Sequence, residues 1–144
     1  MSVGATLAQD NKFIDPTGIY RYAGKTIKKN GETYGYFGNA KVLLLDTTSV
    51  IVNFFICKGA PSYNSGSFVD TLHYEKNQVV YNGDGLTDST CKLEIKFARD
   101  KFFVQLFSQN INWACGFGHG VDAYGNFKKV TSKKPTSEEI LEQD

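Results

Sequence analysis

From Cys91 to Phe97 the chain sets Cys91, Leu93, Ile95 and Phe97 at alternate positions, with Lys92, Glu94 and Lys96 between them. Side chains two residues apart leave an extended backbone on the same face, so this stretch has one dry side and one wet side. That is the signature of an antiparallel strand packed on a core by one face; a helix would repeat at 3.6. Beyond the turn Ala98-Arg99-Asp100-Lys101, the run from Phe102 to Phe107 returns as a hairpin partner. The same grammar recurs upstream. Strands are predicted at Gly18–Tyr22, Tyr34–Leu45, Val50–Cys57, Phe68–Tyr74 and Gln78–Tyr81, and Gly118–Phe127 closes the series.

Eight short strands with turn signals between them, and no long helical window in the core, predict an all-β domain. The expected architecture is a single-domain antiparallel meander of about eight strands forming a small barrel or curled sheet, since closure removes exposed edges. Gly35 and Gly38 inside the second long strand mark a bulge or a sharp bend. Composition agrees: 14% aromatic residues, 14 Gly and only 3 Pro is a β-rich mixture. A length of 144 residues fits one domain, and the absence of a fixed internal period excludes a solenoid or propeller.

The expected organisation is a flexible N-terminus over 1–10, a β domain over 11–130 and a flexible tail over 131–144. Ser2-Val3-Gly4-Ala5-Thr6-Leu7-Ala8 reads as the end of a secretory signal, with Thr6 and Ala8 as small residues at cleavage-site spacing. The alternative is a cytosolic N-terminus. In the tail, Ser137 to Glu142 predicts a single helical turn, expected to fray. A net charge of +1 supplies no long-range field for nucleic acid or an anionic membrane, so no nucleic-acid partner is expected. No run of apolar residues is long enough for an integral membrane segment.

Three cysteines allow at most one internal disulfide. Cys91 and Cys115 form the expected pair, with Cys57 as a buried free thiol at the end of an apolar strand; the alternative is three reduced cysteines packed as small apolar residues. His73 and His119, without a C-x-x-C motif, do not make a zinc site, and no cofactor is expected. Cys115 and His119 stand four residues apart, the one pairing that suggests a nucleophile with its base. The acidic stretch Asn82 to Asp88 fails as a calcium loop, because Val80 and Cys91 fall where carboxylates belong, and reads as a solvated turn.

Two segments are richer than connectors need to be. Lys58 to Ser67 offers Tyr63, Asn64, Ser65 and Ser67 without a carboxylate. Asn110 to Gly120 places the only Trp, Trp113, with Phe117 and His119 among glycines. Rigid aromatics beside small polar residues suit a binding surface, because they supply contact area at little entropic cost. The competing reading is that Tyr63, Trp113 and Phe117 plug the open end of the barrel.

The leader-like start, the eight-strand pattern, the cysteine pair and Ser65-Gly66-Ser67 together resemble the periplasmic and membrane-bound inhibitors of c-type lysozyme, small bacterial β-barrels. Ser65-Gly66-Ser67-Phe68 is similar to the opening of that family's cleft-inserting motif, and Tyr124-Gly125-Asn126-Phe127-Lys128 to its later Tyr and Gly segment. Phe68 departs from the motif, which continues there with small residues. The resemblance implies a non-enzymatic, periplasmic or secreted protein that binds a lysozyme-like hydrolase. Partner contacts are then expected at Tyr63, Asn64, Ser65, Ser67, Trp113, Phe117 and His119. The alternative function is a lipocalin-like carrier holding a small apolar ligand among its Phe and Tyr side chains.

Overall fold

The computed structural model describes residues 12–110 and 112–143, so the leader-like segment lies outside the described residues. Among the described residues the fold is all-β with one short α-helix. Its strands are β1 Gly18–Tyr22, β2 Ile27–Lys29, β3 Glu32–Asp46, β4 Ser49–Gly59, β5 Ser65–His73, β6 Gln78–Tyr81, β7 Lys92–Phe97, β8 Lys101–Phe107 and β9 Tyr124–Thr131, followed by α1 Ser137–Leu141. They form one antiparallel sheet in the order β5-β4-β3-β1-β9-β8-β7-β6, with β2 attached to β3. Because β1 pairs with β9, the meander curls back on itself and nearly closes into a barrel. Between β5 and β6, joined by a tight turn with a Glu75–Gln78 bridge, the described strands form no ladder.

Aromatic rings bind the interior across that seam. Tyr20 meets Phe102 at 4.8 Å between ring centres, Phe102 stacks on Phe127 at 4.7 Å, and Phe127 meets Phe54 at 5.3 Å. Phe54 then stacks on Phe68 at 5.5 Å, and Phe68 lies on Tyr81 at 3.8 Å. Phe68 belongs to β5 and Tyr81 to β6, so ring stacking joins the two strands that main-chain hydrogen bonds leave apart. Burial of each such ring contributes about 1.5–3 kcal/mol, beside the buried Val, Leu and Ile side chains of the same core. Burial also raises the Tyr20 and Tyr74 phenols, keeping them protonated as donors to Pro16 O at 2.7 Å and Ile14 O at 2.6 Å.

Beyond shifts of one or two residues at other strand ends, the closing strand, the start of β5 and the presence of β2 differ from the sequence reading. The closing strand is Tyr124–Thr131 rather than Gly118–Phe127, because residues 118–121 use their backbone in a loop: Gly118 N donates to Ser65 O and Val121 N to Gly118 O. β5 begins at Ser65, so the Ser-Gly-Ser triplet is strand, pairing with Cys57, Ile56 and Phe55. β2 was invisible to apolar alternation because Ile27, Lys28 and Lys29 are all exposed, yet Asn30-Gly31 at positive φ makes the hairpin turn that joins it to β3. The bend is present at Gly35, inside a register shift between Tyr34 and Phe37, whereas Gly38 pairs regularly with Ile56, where its missing side chain admits the Phe55 carbonyl.

The tail expected to fray is docked instead. Thr136 Oγ1 accepts from Glu139 N while the Glu139 carboxylate accepts from Thr136 N, a reciprocal capping box that starts α1. Ile140 is buried, and Asn53 of β4 donates to Ile140 O and Glu142 O. No helix among the described residues is long and apolar enough to cross a membrane.

Candidate functional site

The barrel's two ends are built differently. One end has short turns between β3 and β4, β5 and β6, and β7 and β8; the other carries the long connections 60–64, 82–91 and 108–123. At this loop end the two segments singled out from the sequence lie side by side. Gly118 N donates to Ser65 O at 2.8 Å, and Asn64 Nδ2 donates to His119 O at 2.9 Å. Within the first segment Lys58 N donates to Asn64 O, and Tyr63 turns back so that its hydroxyl accepts from Thr33 N at 3.0 Å.

The 108–123 loop is clamped from several directions. Cys115 is bonded to Cys91, tying the loop to the start of β7. Asp88, buried at 5% exposure, accepts from Cys115 N at 2.8 Å, Ser108 Oγ at 2.6 Å and Thr90 Oγ1 at 2.6 Å. Those hydroxyls, then the Cys115 amide, hold its carboxyl far below the usual carboxylate range, so it stays ionised. Cys115 sits at φ 56°, a left-handed conformation rare for a residue with a side chain; the disulfide and the Asp88 bond fix it there. On the opposite flank the Tyr36 hydroxyl donates to Gly120 O and accepts from Asp122 N.

Phe117 locks the assembly from within. It is 2% exposed, stacks toward Phe54 at 6.5 Å, and lies so close under Gly66 that a Cβ there would meet its ring at 2.2 Å. Of the proposed contact residues, Phe117 is therefore a plug, and the glycine of Ser65-Gly66-Ser67 is the opening that admits it. Tyr63, at 39% exposure, and Trp113, at 53%, face solvent. Ser67 and His119 are exposed, while Asn64 and Ser65 are half-buried at the seam between the segments. The structure thus brings Asn64 to His119 and Ser65 to Gly118. Trp113 stands on the limb leading into Cys115, where its amide donates to Asn110 Oδ1.

Two further points concern chemistry. Cys115 is in a disulfide, so it offers no thiolate to His119, and Cys57 is buried. No group of three or more metal-ligating side chains occurs among the described residues. Asp88, Tyr36 and Ser108 were missed by the sequence reading, which took Asn82–Asp88 as one solvated turn. That reading holds for Asp84, which accepts from Leu86 N and Thr87 N. For Asp88 the available signal was its place three residues before a bonded cysteine, with Thr90 in reach. No protein-family model, curated protein or solved structure matches the chain.

Proposed function

We propose that this chain is a non-enzymatic, exported binding protein whose contact surface is the rim formed by 60–67 and 112–120. The observation that carries the reading is the cross-bonding of these two segments, which presents Tyr63, Ser67 and His119 on a backbone already fixed by hydrogen bonds. A surface ordered before it meets a partner loses little entropy on binding. Export is supported by the Cys91–Cys115 disulfide, a bond that persists in oxidising compartments. The Ser65-Gly66-Ser67 resemblance nominates a lysozyme-like hydrolase as the partner.

Aromatic rings occupy the barrel interior that a small-molecule carrier would keep open, which favours the rim over the carrier reading. The test is inhibition of c-, g- and i-type lysozymes by the purified oxidised chain, together with recovery of a partner from envelope extract. Inhibition that weakens in Tyr63→Ala and His119→Ala, with the chain still folded by circular dichroism, is the expected result. An absence of inhibition in every lysozyme class removes the hydrolase, and the further absence of any partner sensitive to these substitutions removes the rim.

A further inference from the structure

The turn end of the barrel carries an unusual distribution of charge for a chain whose net charge is only +1. A surface depression there is lined by Lys12, Lys76, Lys96 and Arg99, which come from the N-terminal segment, the β5–β6 turn, β7 and the β7–β8 turn; no carboxylate lines it. Beside it, on the outer wall, Lys101 of β8 is paired directly with Lys128 of β9, and Lys128 directly with Arg21 of β1. Lys96 is paired with Phe103, two residues along β8 from Lys101, which joins the depression and the row into one band. All seven side chains are exposed. The two ion pairs among the described residues, His73–Glu75 and Lys92–Glu94, involve none of them, and Asp100, in the turn between Arg99 and Lys101, pairs with neither.

Like charges set directly opposite one another destabilise a sheet, so the Lys101–Lys128–Arg21 row costs the free protein stability that an added anion would restore. Neighbouring strands lie about 4.8 Å apart. The row therefore offers cations at a regular short step across the strands, leading into a concave cluster of four more. That suits an extended chain with closely repeated negative charges rather than a single small anion.

We infer that this band binds a linear anionic glycan, one bearing carboxylate, sulfate or phosphate groups on successive sugars. Two observations favour a glycan over single-stranded nucleic acid. The aromatic pairs beside the band, Phe103–Tyr124 and Phe13–Tyr74, meet edge to face at 84° and 90°, so neither forms the parallel platform on which bases stack. The chain also carries a disulfide, a bond that persists in the oxidising compartments where envelope and extracellular glycans occur. The inference is independent of the rim, which lies at the other end of the barrel.

The test uses the whole oxidised chain. Labelled heparin oligosaccharide, oligogalacturonate and oligo-deoxythymidylate are titrated by fluorescence anisotropy, and phosphatidylcholine vesicles containing phosphatidylglycerol by sedimentation, across a series of salt concentrations. The expected result is saturable binding of one or both glycans that weakens as salt rises. The log–log salt slope should fall by about two in Lys101→Gln/Lys128→Gln and by about two in Lys96→Gln/Arg99→Gln, while Lys28→Gln/Lys29→Gln on β2 leaves it unchanged. Lys128→Gln alone should raise the melting temperature of the free protein and shrink the rise produced by the glycan, which a merely structural lysine would not do. The inference is overturned by absence of glycan binding at low ionic strength, by equal loss in the β2 variant, or by tighter binding of the oligonucleotide or the anionic vesicles.

Discussion

At the turn end, β3 passes to β4 through Thr47-Thr48, with the Asp46 carboxylate accepting from Thr48, and β5 passes to β6 through Asn77 at positive φ. At the loop end, β8 needs sixteen residues to reach β9, and a disulfide, a buried carboxylate, a phenol and a plugging ring hold that path in place. The turn end closes its hairpins through neighbours in sequence, and Asn77 and Tyr74 there also hold the segment at residues 12–14. The loop end is fixed by residues that meet only after the barrel has closed. Local turns free their end of the barrel to display charge, whereas the long loops must be welded before they can present a defined surface.

If the loop end depends on its plug, Phe117→Ala should be the most damaging single change, lowering stability by about 3–5 kcal/mol in urea unfolding, since it empties a site beneath Gly66 and beside Phe54. Removing the cross-link comes next. Cys91→Ser/Cys115→Ser opens a loop spanned by a sequence separation of 24, and should cost about 3.5 kcal/mol by the loop-entropy argument. Thiol titration after unfolding without reductant should find one reactive group in the native sequence, from Cys57; three would contradict the bond.

Acid should sharpen the comparison. The folded-state pKa of Asp88 lies below its ordinary value, so its contribution is complete above the ordinary carboxylate pKa and is lost as pH falls below about 4 toward the folded value. Asp88→Asn should flatten the acid limb of a stability–pH curve and loosen the loop end first. Asp46, Asp84 and Glu139 are lowered as well, by bonds from Thr48, from Thr87 and Leu86, and from Thr136, so the remaining acid sensitivity belongs to the β3–β4 turn, the 82–91 connection and α1. The smallest effect is expected from Thr136→Ala, which removes the α1 cap and should cost about 1 kcal/mol while leaving the rim intact.

Strands were legible wherever one face is dry and the other wet, as in Cys91–Phe97, because alternation encodes the pleat directly. β2 was not, because both its faces are exposed and only Asn30-Gly31 betrayed it. The cysteine pair was read from Cys91 opening a strand and Cys57 ending an apolar one, with three reduced cysteines as the alternative; the bond is present, although Cys115 lies in a turn at 114–116 and not at a strand end. The function of Asp88 was not, because its partners Ser108 and Cys115 N stand 20 and 27 residues away and short-range pattern carries no trace of them. Both candidate loops were legible as rich segments. Their contact was not, and Phe117 moved from contact to plug because Gly66, read as part of a motif, supplies the space that buries a ring.

The central claim is that the two loops are one surface, and hydrogen exchange measures that directly. In the oxidised chain the amides of Lys58, Tyr63, Cys115 and Gly118, each donating a hydrogen bond, should exchange far more slowly than free peptide. In Asn64→Ala, which removes the Asn64–His119 bond, protection should fall in both segments together. Free-peptide exchange in either loop of the native chain, or loss confined to the segment carrying the substitution, would show two independent loops and contradict the account.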